Sequence, residues 1–372
     1  MRVNTITLRN YRNYKDLTLD LSENINVFLG QNAQGKTNVV EAVYYAAMGH
    51  SHRTSADAEL IRWEEPAASM KLDFERLGVE NVLEFQFSRE KRRQILYNGQ
   101  SIRTKELMGA MNAVLFSPED LFLIKGAPAG RRKFLDGEIS QASPAYYHEL
   151  TQYNRIVSQR NTLLKRIREH KARPDMLELW DTQLAESGAK IVAKRREAVK
   201  KLNMLANLMQ RRISANAENL TLQYCMHGTE ESVPPVTEQL VSWYNKKLKE
   251  SAELDILRGS TGVGPHRDDI LLEVNGINLR SFGSQGQQRT GVLALKLSEL
   301  EFLRSETGEY PVLLLDDVMS ELDNIRQKNL LNYINGKTQT FITTTDINSI
   351  SQEMIKIPRI FRIVSGTVSE EK

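Results

Sequence analysis

A single cysteine, Cys225, stands among 372 residues, so the chain can form no internal disulfide and no cysteine-rich zinc site. Long apolar runs are also missing, and none approaches the roughly 18 residues that a membrane-spanning helix needs. The chain opens on a strand pattern instead of a charged and then apolar leader, which argues against a signal peptide. Charge of one sign is scarce, since 50 Lys/Arg against 47 Asp/Glu leave a formal net charge of only +3. Together these absences predict a soluble, cytoplasmic protein with no membrane contact. The choice of partner then rests on how charge is distributed.

What is present is an ordinary globular composition, 40% hydrophobic and 26% charged, in a chain longer than one hydrophobic core usually serves. Two domains, or one head with a large insertion, are expected. Residues 131–212 hold 18 Lys/Arg and 9 Asp/Glu, a net +9, which leaves −6 for the rest of the +3 total. That concentration suits a polyanion-binding surface, and it equally suits helices with solvated basic faces.

Gly30-Gln31-Asn32-Ala33-Gln34-Gly35-Lys36-Thr37 has the form G-x-x-x-x-G-K-[ST]. Glycines let backbone N–H groups turn onto phosphate oxygens, the lysine reaches the outer phosphates, and the threonine hydroxyl ligates Mg²⁺. An apolar strand pattern at 25–29 precedes this loop. A helical pattern at 38–48 follows, and its N-terminus adds partial positive charge to the anion site. Strand patterns at 3–8 and 17–21 flank a turn at 10–14. Arg9, Arg12 and Lys15 around that turn read as solvated, with contact to nucleic acid or to a nucleotide base as the sharper alternative. His50 and His52, without acidic or cysteine neighbours, are a poor metal signal. Arg53 stands where an arginine could turn back onto the phosphates.

Alternating runs at 70–75, 82–87 and 94–97, the last followed by Asn98-Gly99, predict an antiparallel sheet beside the nucleotide core. Ser117-Pro118-Glu119-Asp120 and Gly126-Ala127-Pro128-Ala129-Gly130 mark a domain boundary. Tyr146, Leu150, Tyr153, Val157, Leu164 and Ile167 recur at helical spacing with Arg160 interrupting. Leu177, Trp180, Leu184, Ile191, Ala198, Leu202, Leu205 and Met209 form a second series beyond Arg173-Pro174. The pattern predicts two long antiparallel helices with an apolar seam and basic outer faces, a short coiled coil whose arms reach ~45–60 Å at most. Pro234-Pro235 marks a loop, and 239–251 reads as one more amphipathic helix.

In the last third, a polar, glycine-dense loop at 259–269 precedes a strand at 270–274. Ser284 and Gly286 open a helix whose free N–H groups form a second anion site. Pro311 to Asp317 is an apolar strand ending in two carboxylates, the form of a Walker B element. Asp316 would hold Mg²⁺ through water, and Asp317 would orient or deprotonate the attacking water. Another buried strand with a polar end follows at 340–346. This order of elements defines an ATP-binding-cassette type of ATPase. Two anion sites on one chain suggest that each serves a different nucleotide, completed from different subunits.

The phosphate loop with Asn38 and Glu41-Ala42 is similar to that of SMC-type chromosome and repair ATPases. Pro118-Glu119-Asp120, Gly126-Ala127-Pro128, Arg131-Arg132 and Phe134-Leu135-Asp136 resemble one hallmark of the RecF family of DNA replication and repair proteins. Leu315-Asp316-Asp317-Val318-Met319-Ser320-Glu321-Leu322-Asp323 resembles another, and Gly264-Pro265-His266-Arg267-Asp268-Asp269 and Ser284-Gln285-Gly286-Gln287-Gln288-Arg289 also match. The resemblance spans essentially the whole chain. It implies an α/β fold, an ABC/SMC-type ATPase head with mixed sheets (1–120 and 255–372) and an inserted helical, short coiled-coil-like domain (121–254).

The resemblance further implies an ATP-dependent DNA-binding protein of recombinational repair and replication restart. Such a protein is a weak, DNA-stimulated ATPase that forms a homodimer on DNA when ATP is bound. Acting on duplex and gap junctions with the RecO and RecR proteins, it promotes RecA loading at single-stranded gaps. By position, Gly30, Gln31, Asn32, Ala33, Gln34, Gly35, Lys36, Thr37, Asn38 and Arg53 would hold ATP, and Thr37 and Asp316 would hold Mg²⁺. Lys36 and Asp317 would be catalytic, and Ser284, Gly286 and Gln287 would face the ATP of the other subunit. Asp323 would lie in the loop crossing the dimer interface.

The chain departs from the wider cassette pattern at three places. Asp317 replaces a longer glutamate, Ser117-Pro118-Glu119 stands where many relatives place a glutamine, and Thr344-Thr345-Asp346 stands where a histidine is common. Two other readings are an energy-supplying transporter subunit, which the missing glutamine and basic insertion oppose, and a structural SMC-like tether, for which the arms are short.

Overall fold

The computed structural model describes residues 1–227, 236–346 and 358–371, so the Pro234-Pro235 loop lies outside the described residues. Strands β1 (Arg2–Tyr11) and β2 (Tyr14–Asp20) form a hairpin. β3 (Ile25–Leu29), buried at every residue, runs into the phosphate loop and helix α1 (Lys36–Met48). β4 (Ala67–Arg76), β5 (Val79–Ser88), β6 (Gln94–Tyr97) and β7 (Gln100–Ile102) extend the hairpin into an antiparallel sheet of order β2-β1-β4-β5-β6-β7. Period-two alternation is the cause: Ala68, Met70, Leu72 and Phe74 of β4 are buried while the residues between them are only partly so. Asn98 and Gly99 turn β6 into β7 with φ of 48° and 78°, as an Asn-Gly hairpin requires.

The chain then passes through α2 (Thr104–Leu107), β8 (Ala113–Phe116) and α3 (Phe122–Lys125) into α4 (Pro128–Ala142). Proline at the first position starts α4, so Pro128-Ala129-Gly130 of the Pro/Gly-rich stretch are its first turn. The long helices α5 (Pro144–Arg168) and α6 (Leu177–Ile213) follow. They are antiparallel: Tyr146 near the start of α5 meets Arg195, whereas Arg160 farther along meets Asp181, which lies earlier in α6. The expected seam is buried at Tyr146, Tyr153, Leu164 and Ile167, and at Leu177, Leu184, Ile191, Leu202 and Met209.

Three arginines of the basic stretch 131–212 do not face solvent, among them Arg160, which interrupts the apolar series. Arg160 is wholly inside the seam, where it donates to Asp181 at 2.6 Å, Asp255 at 2.7 Å and Thr261 at 3.0 Å. Arg195 pairs with Asp136 through two 2.8 Å bonds, and buried Arg131 pairs with Asp269 at 2.7 and 2.9 Å. Burial of an arginine demands such partners, so these charges are spent inside the protein.

Strand β9 (Leu220–Cys225) and helix α7 (Thr237–Arg258) come next, then β10 (Asp269–Val274), β11 (Ile277–Asn278) and α8 (Leu279–Phe282). β9, β10 and β11 make a small antiparallel sheet. Helix α9 (Gln285–Thr307) leads to β12 (Val312–Asp316), α10 (Asn324–Ile334), β13 (Thr340–Thr344) and the hairpin β14 (Arg359–Val364) and β15 (Thr367–Glu371). The second large sheet has the order β15-β14-β3-β13-β12-β8, parallel except for edge strand β15. On one face Phe28, Leu314 and Phe341 share a core with Val39 and Val43 of α1 and with the antiparallel sheet. On the other, Val27, Leu313 and Ile342 share a core with Leu293 and Leu297 of α9 and Leu330 of α10. Strands buried on both faces explain the uninterrupted apolar runs. The carboxyl ends of β3, β13 and β12 lie side by side, the position where open parallel sheets bind ligands.

Candidate nucleotide-binding site

Gly35 precedes α1 with φ of 118°, and no side chain caps the helix; the Asn38 N–H turns back to the Gly35 carbonyl at 3.0 Å, and the N–H groups of Lys36 and Thr37 are left for an anion. A Cβ at Gly35 would lie 2.5 Å from Asn13 Nδ2 and 2.9 Å from the Tyr14 hydroxyl, so glycine is needed for space as well as conformation. Lys36 Nζ donates to the carbonyls of Gly30 at 2.6 Å and Gln31 at 3.0 Å. Burial lowers the pKa of this ammonium, and the carboxylates of Asp317 and Asp316 oppose that shift. Thr37 Oγ1 donates to Asp316 Oδ1 at 2.9 Å, which brings the end of β12 to the first turn of α1.

Asp316 is buried, and the same Oδ1 accepts from Thr343 Oγ1 of β13 at 2.8 Å. Burial raises its carboxyl pKa, while the hydrogen bonds from Thr343 and Thr37 pull it back. Asp317 sits in the left-handed region at φ of 56°, and its N–H donates to Thr343 Oγ1 at 2.8 Å. Aspartate tolerates that conformation better than bulkier residues do. Among the described residues no group of three or more His, Cys, Asp or Glu could hold a metal by itself. One carboxylate and one hydroxyl suit Mg²⁺, which keeps waters and takes its remaining ligands from phosphate.

Arg9 and Lys15 are exposed, as expected of a solvated turn, whereas Arg12 and the residues beside it brace the loop from behind. Tyr11 and Tyr14 are buried, and Asn13 Nδ2 donates to the Gln34 carbonyl at 2.7 Å while its Oδ1 accepts from Asn38 at 2.8 Å. Arg12 donates to fully buried Glu41 through bonds of 2.8 and 2.6 Å. A second brace comes from the β14–β15 turn, where the Gly366 N–H donates to the Gln34 carbonyl at 3.2 Å. Arg53 lies beside the start of α1, donating to Asn38 at 2.9 Å and standing 3.7 Å from Glu41. Asn13, Thr343 and Gly366 were not marked by sequence, because they belong to no motif and reach the loop only through the fold. His50 and His52 pack edge-on to Tyr44, and burial lowers the pKa of both, that of His52 to about 4.

Ser284, Gly286 and Gln287 gather elsewhere. Ser284 caps α9 by accepting from the Gln287 N–H at 3.2 Å, and the Gln287 side chain accepts from the Ser284 N–H at 3.0 Å. Gln287 also donates to Glu218 at 3.1 Å. The segment after β12 is tied to this helix: Asp323 caps α10 and pairs with Arg326, which donates to Thr290 of α9. Arg289 pairs with Glu321 at 3.1 Å. The starts of α1 and α9 therefore have separate sets of hydrogen-bond partners.

Residues 2–369 match the family model described as the RecF/RecN/SMC N terminal domain. The chain is 45% identical to the DNA replication and repair protein RecF of Exiguobacterium sp., with all of both chains covered. It is 44% identical to the RecF of Enterococcus faecalis, over 99% of this chain and 98% of that one. The chain belongs to the RecF family. A solved structure of the recombination mediator protein RecF-ATPrS in the RecFOR pathway superposes with a TM-score of 0.91 at 38% identity, covering 100% of this chain and 98% of that one. An Smc head bound to the C-winged helix domain of ScpA shares the fold, with a TM-score of 0.57 at 14% identity, over 100% of this chain and 97% of that one. The α/β fold is thus an ABC/SMC-type ATPase head with mixed sheets and a helical, short coiled-coil-like insertion.

The family stretches away from the loop dock on one another. Besides the Arg131–Asp269 pair, Arg132 donates to the Asp268 carbonyl at 2.7 Å and Arg195 to the Pro265 carbonyl at 2.6 Å. The Tyr153 hydroxyl meets His266 Nδ1 at 2.5 Å, and burial lowers the pKa of that histidine to about 4. In this RecF-family chain the glycine-dense loop at 259–269 is a buried joint between helices and sheet, with Thr261 and Asp268 almost wholly enclosed. No described helix is long and apolar enough to cross a membrane.

Proposed function

We propose that this chain is an ATP-dependent DNA-binding protein of recombinational repair and replication restart that closes into a homodimer when ATP is bound. The observation that carries this reading is the Thr37–Asp316 hydrogen bond, which sets a metal-binding hydroxyl and carboxylate beside the phosphate loop. Lys36 and the α1 N–H groups hold the phosphates, Thr37 and Asp316 hold Mg²⁺, and Arg53 approaches from the loop after α1. Bound Mg²⁺ would neutralise charge on the terminal phosphates. Asp317 orients the attacking water, and its short side chain suits slow hydrolysis.

Ser284 and Gly286 are exposed and Gln287 is half-buried at the start of α9, and beyond that helix the hydrogen bonds of these three residues go to Glu218 and Arg326, as expected of groups that complete the site of a second copy. With RecO and RecR the dimer would act on duplex and gap junctions in the cytoplasm to promote RecA loading, with DNA stimulating ATP turnover. The test is binding of a labelled DNA duplex with ATP and with ADP, followed by fluorescence anisotropy, alongside sedimentation of the protein. ATP should tighten duplex binding and double the mass. Equal duplex affinity in both nucleotides, with a monomer throughout, would refute the proposal.

A further inference from the structure

The helices of the insertion do not share their exposed charge evenly. α5 carries Arg155, Lys165, Arg166 and Arg168 on its exposed surface together with His148, and no exposed carboxylate at all. Its single acid, Glu149, is half-buried and lies 3.7 Å from Lys190. α6 is different, with exposed Glu178, Glu186 and Glu197 among Lys190, Lys194 and Lys200. α7 likewise alternates Glu238, Glu250 and Glu253 with Lys246 and Lys249. Solvation alone favours such mixed faces, so the one-sided face of α5 calls for a ligand of opposite charge.

The positions sharpen this. His148, Gln152, Arg155, Gln159, Thr162 and Arg166 are all exposed, and their steps of four and three residues place them on one line along the helix. That line runs opposite the buried seam of Tyr146, Tyr153, Ile156, Arg160 and Ile167. At ~1.5 Å per residue it is ~27 Å long, and Arg155 and Arg166 stand ~16 Å apart along it. The guanidinium groups of Arg155 and Arg166 and the ammonium of Lys165 have no acidic partner among the described residues. Between them are amides and hydroxyls, the side chains that together with arginine and lysine bond phosphate oxygens in nucleic-acid complexes.

We infer that the exposed line of α5, centred on Arg155 and Arg166, binds the phosphodiester backbone of a DNA duplex. This rests on the proposed function and names the surface that would meet DNA. The ligand is a duplex because the exposed line of α5 carries no Phe, Tyr or Trp on which single-stranded bases could stack. A span of ~16 Å covers about half of a ~34 Å duplex turn, so the two arginines reach separate phosphates. Contacts of this kind carry no sequence preference.

The experiment measures affinity of the full chain, with ATP, for a labelled duplex and for a single strand of the same length, across a salt series. The double variant Arg155→Ala/Arg166→Ala is compared with the parent and with Lys190→Ala/Lys194→Ala on α6. Both substituted arginines are exposed, and unchanged ATP binding reports an intact fold. On duplex the arginine variant should bind on the order of tenfold more weakly at moderate salt, with a log–log salt slope shallower by ~1.8 for two lost phosphate contacts. The lysine variant should match the parent. A parental slope in the arginine variant, or a loss confined to single strands, would overturn the inference and leave the proposed function standing. A parent that binds no duplex would remove both.

Discussion

Thr37 Oγ1 and Asp316 Oδ1 meet at 2.9 Å although 279 residues separate them in the chain. The bond joins the two halves of the candidate metal site, so Asp316→Asn tests it cleanly. The amide keeps a similar shape and can still accept from Thr37, but it lacks the charge that Mg²⁺ needs. ATP turnover should fall by ~100-fold or more, in line with the several kcal/mol that a bound metal contributes to such a reaction. Binding of ATP without Mg²⁺ should persist in titration calorimetry, and parental turnover would show that Asp316 is not a metal ligand.

Asn13 holds the loop from behind through Gln34 and Asn38. Asn13→Ala removes both bonds and leaves the motif itself intact. Losing about 1 kcal/mol of positioning would weaken ATP binding roughly fivefold. Titration calorimetry showing an unaltered dissociation constant would mean that the loop keeps its shape unaided.

Ser284→Arg places a long cation at an exposed helix start where a second copy is proposed to meet ATP. Sedimentation velocity with ATP should show a monomer, while nucleotide still binds to the loop of the same chain. An ATP-induced dimer of parental stability would exclude this face from the interface.

Arg160 is enclosed between Asp181 and Asp255. Arg160→Leu would leave two buried carboxylates without their cation, and urea denaturation should show a loss of ~3–5 kcal/mol. A loss below ~1 kcal/mol would mean that water reaches the site once the guanidinium is gone.

Glu138 faces Glu299 and Lys296 where α4 packs on α9, with Asp120 near Lys296. Burial, opposed by Lys296, raises the Glu138 carboxyl pKa to about 7. The folded protein then holds a proton that the unfolded chain releases near its ordinary carboxyl range, so stability falls as pH rises from about 5 to about 7. Glu138→Gln should flatten that fall and raise the melting temperature at alkaline pH relative to the parent. Parallel melting curves across this range would show that Glu138 is already ionised.

The phosphate loop, the acid-tipped strand β12 and the antiparallel sheet were legible in the sequence because each depends on local spacing. A two-residue period, a buried apolar run and a glycine-lysine-threonine pattern keep their meaning wherever the chain goes. Helix α4 was not, since its opening Gly126-Ala127-Pro128 reads as a break until proline is seen to be its first residue. Nor were the partners of the buried arginines, because charge counting cannot tell a guanidinium facing water from one closed between two aspartates. Asn13 and Gly366 act on Gln34 only once strands far apart in sequence lie together, so no local pattern announces them.

That second brace has a consequence for biosynthesis. The glycine-rich loop is synthesised before the groups that finish its pocket: Asp316, which faces it across Thr37, comes 279 residues after that threonine, and Gly366, which holds it from behind, comes later still. A nascent polypeptide therefore carries the whole phosphate motif for a long stretch of translation without a finished pocket for it.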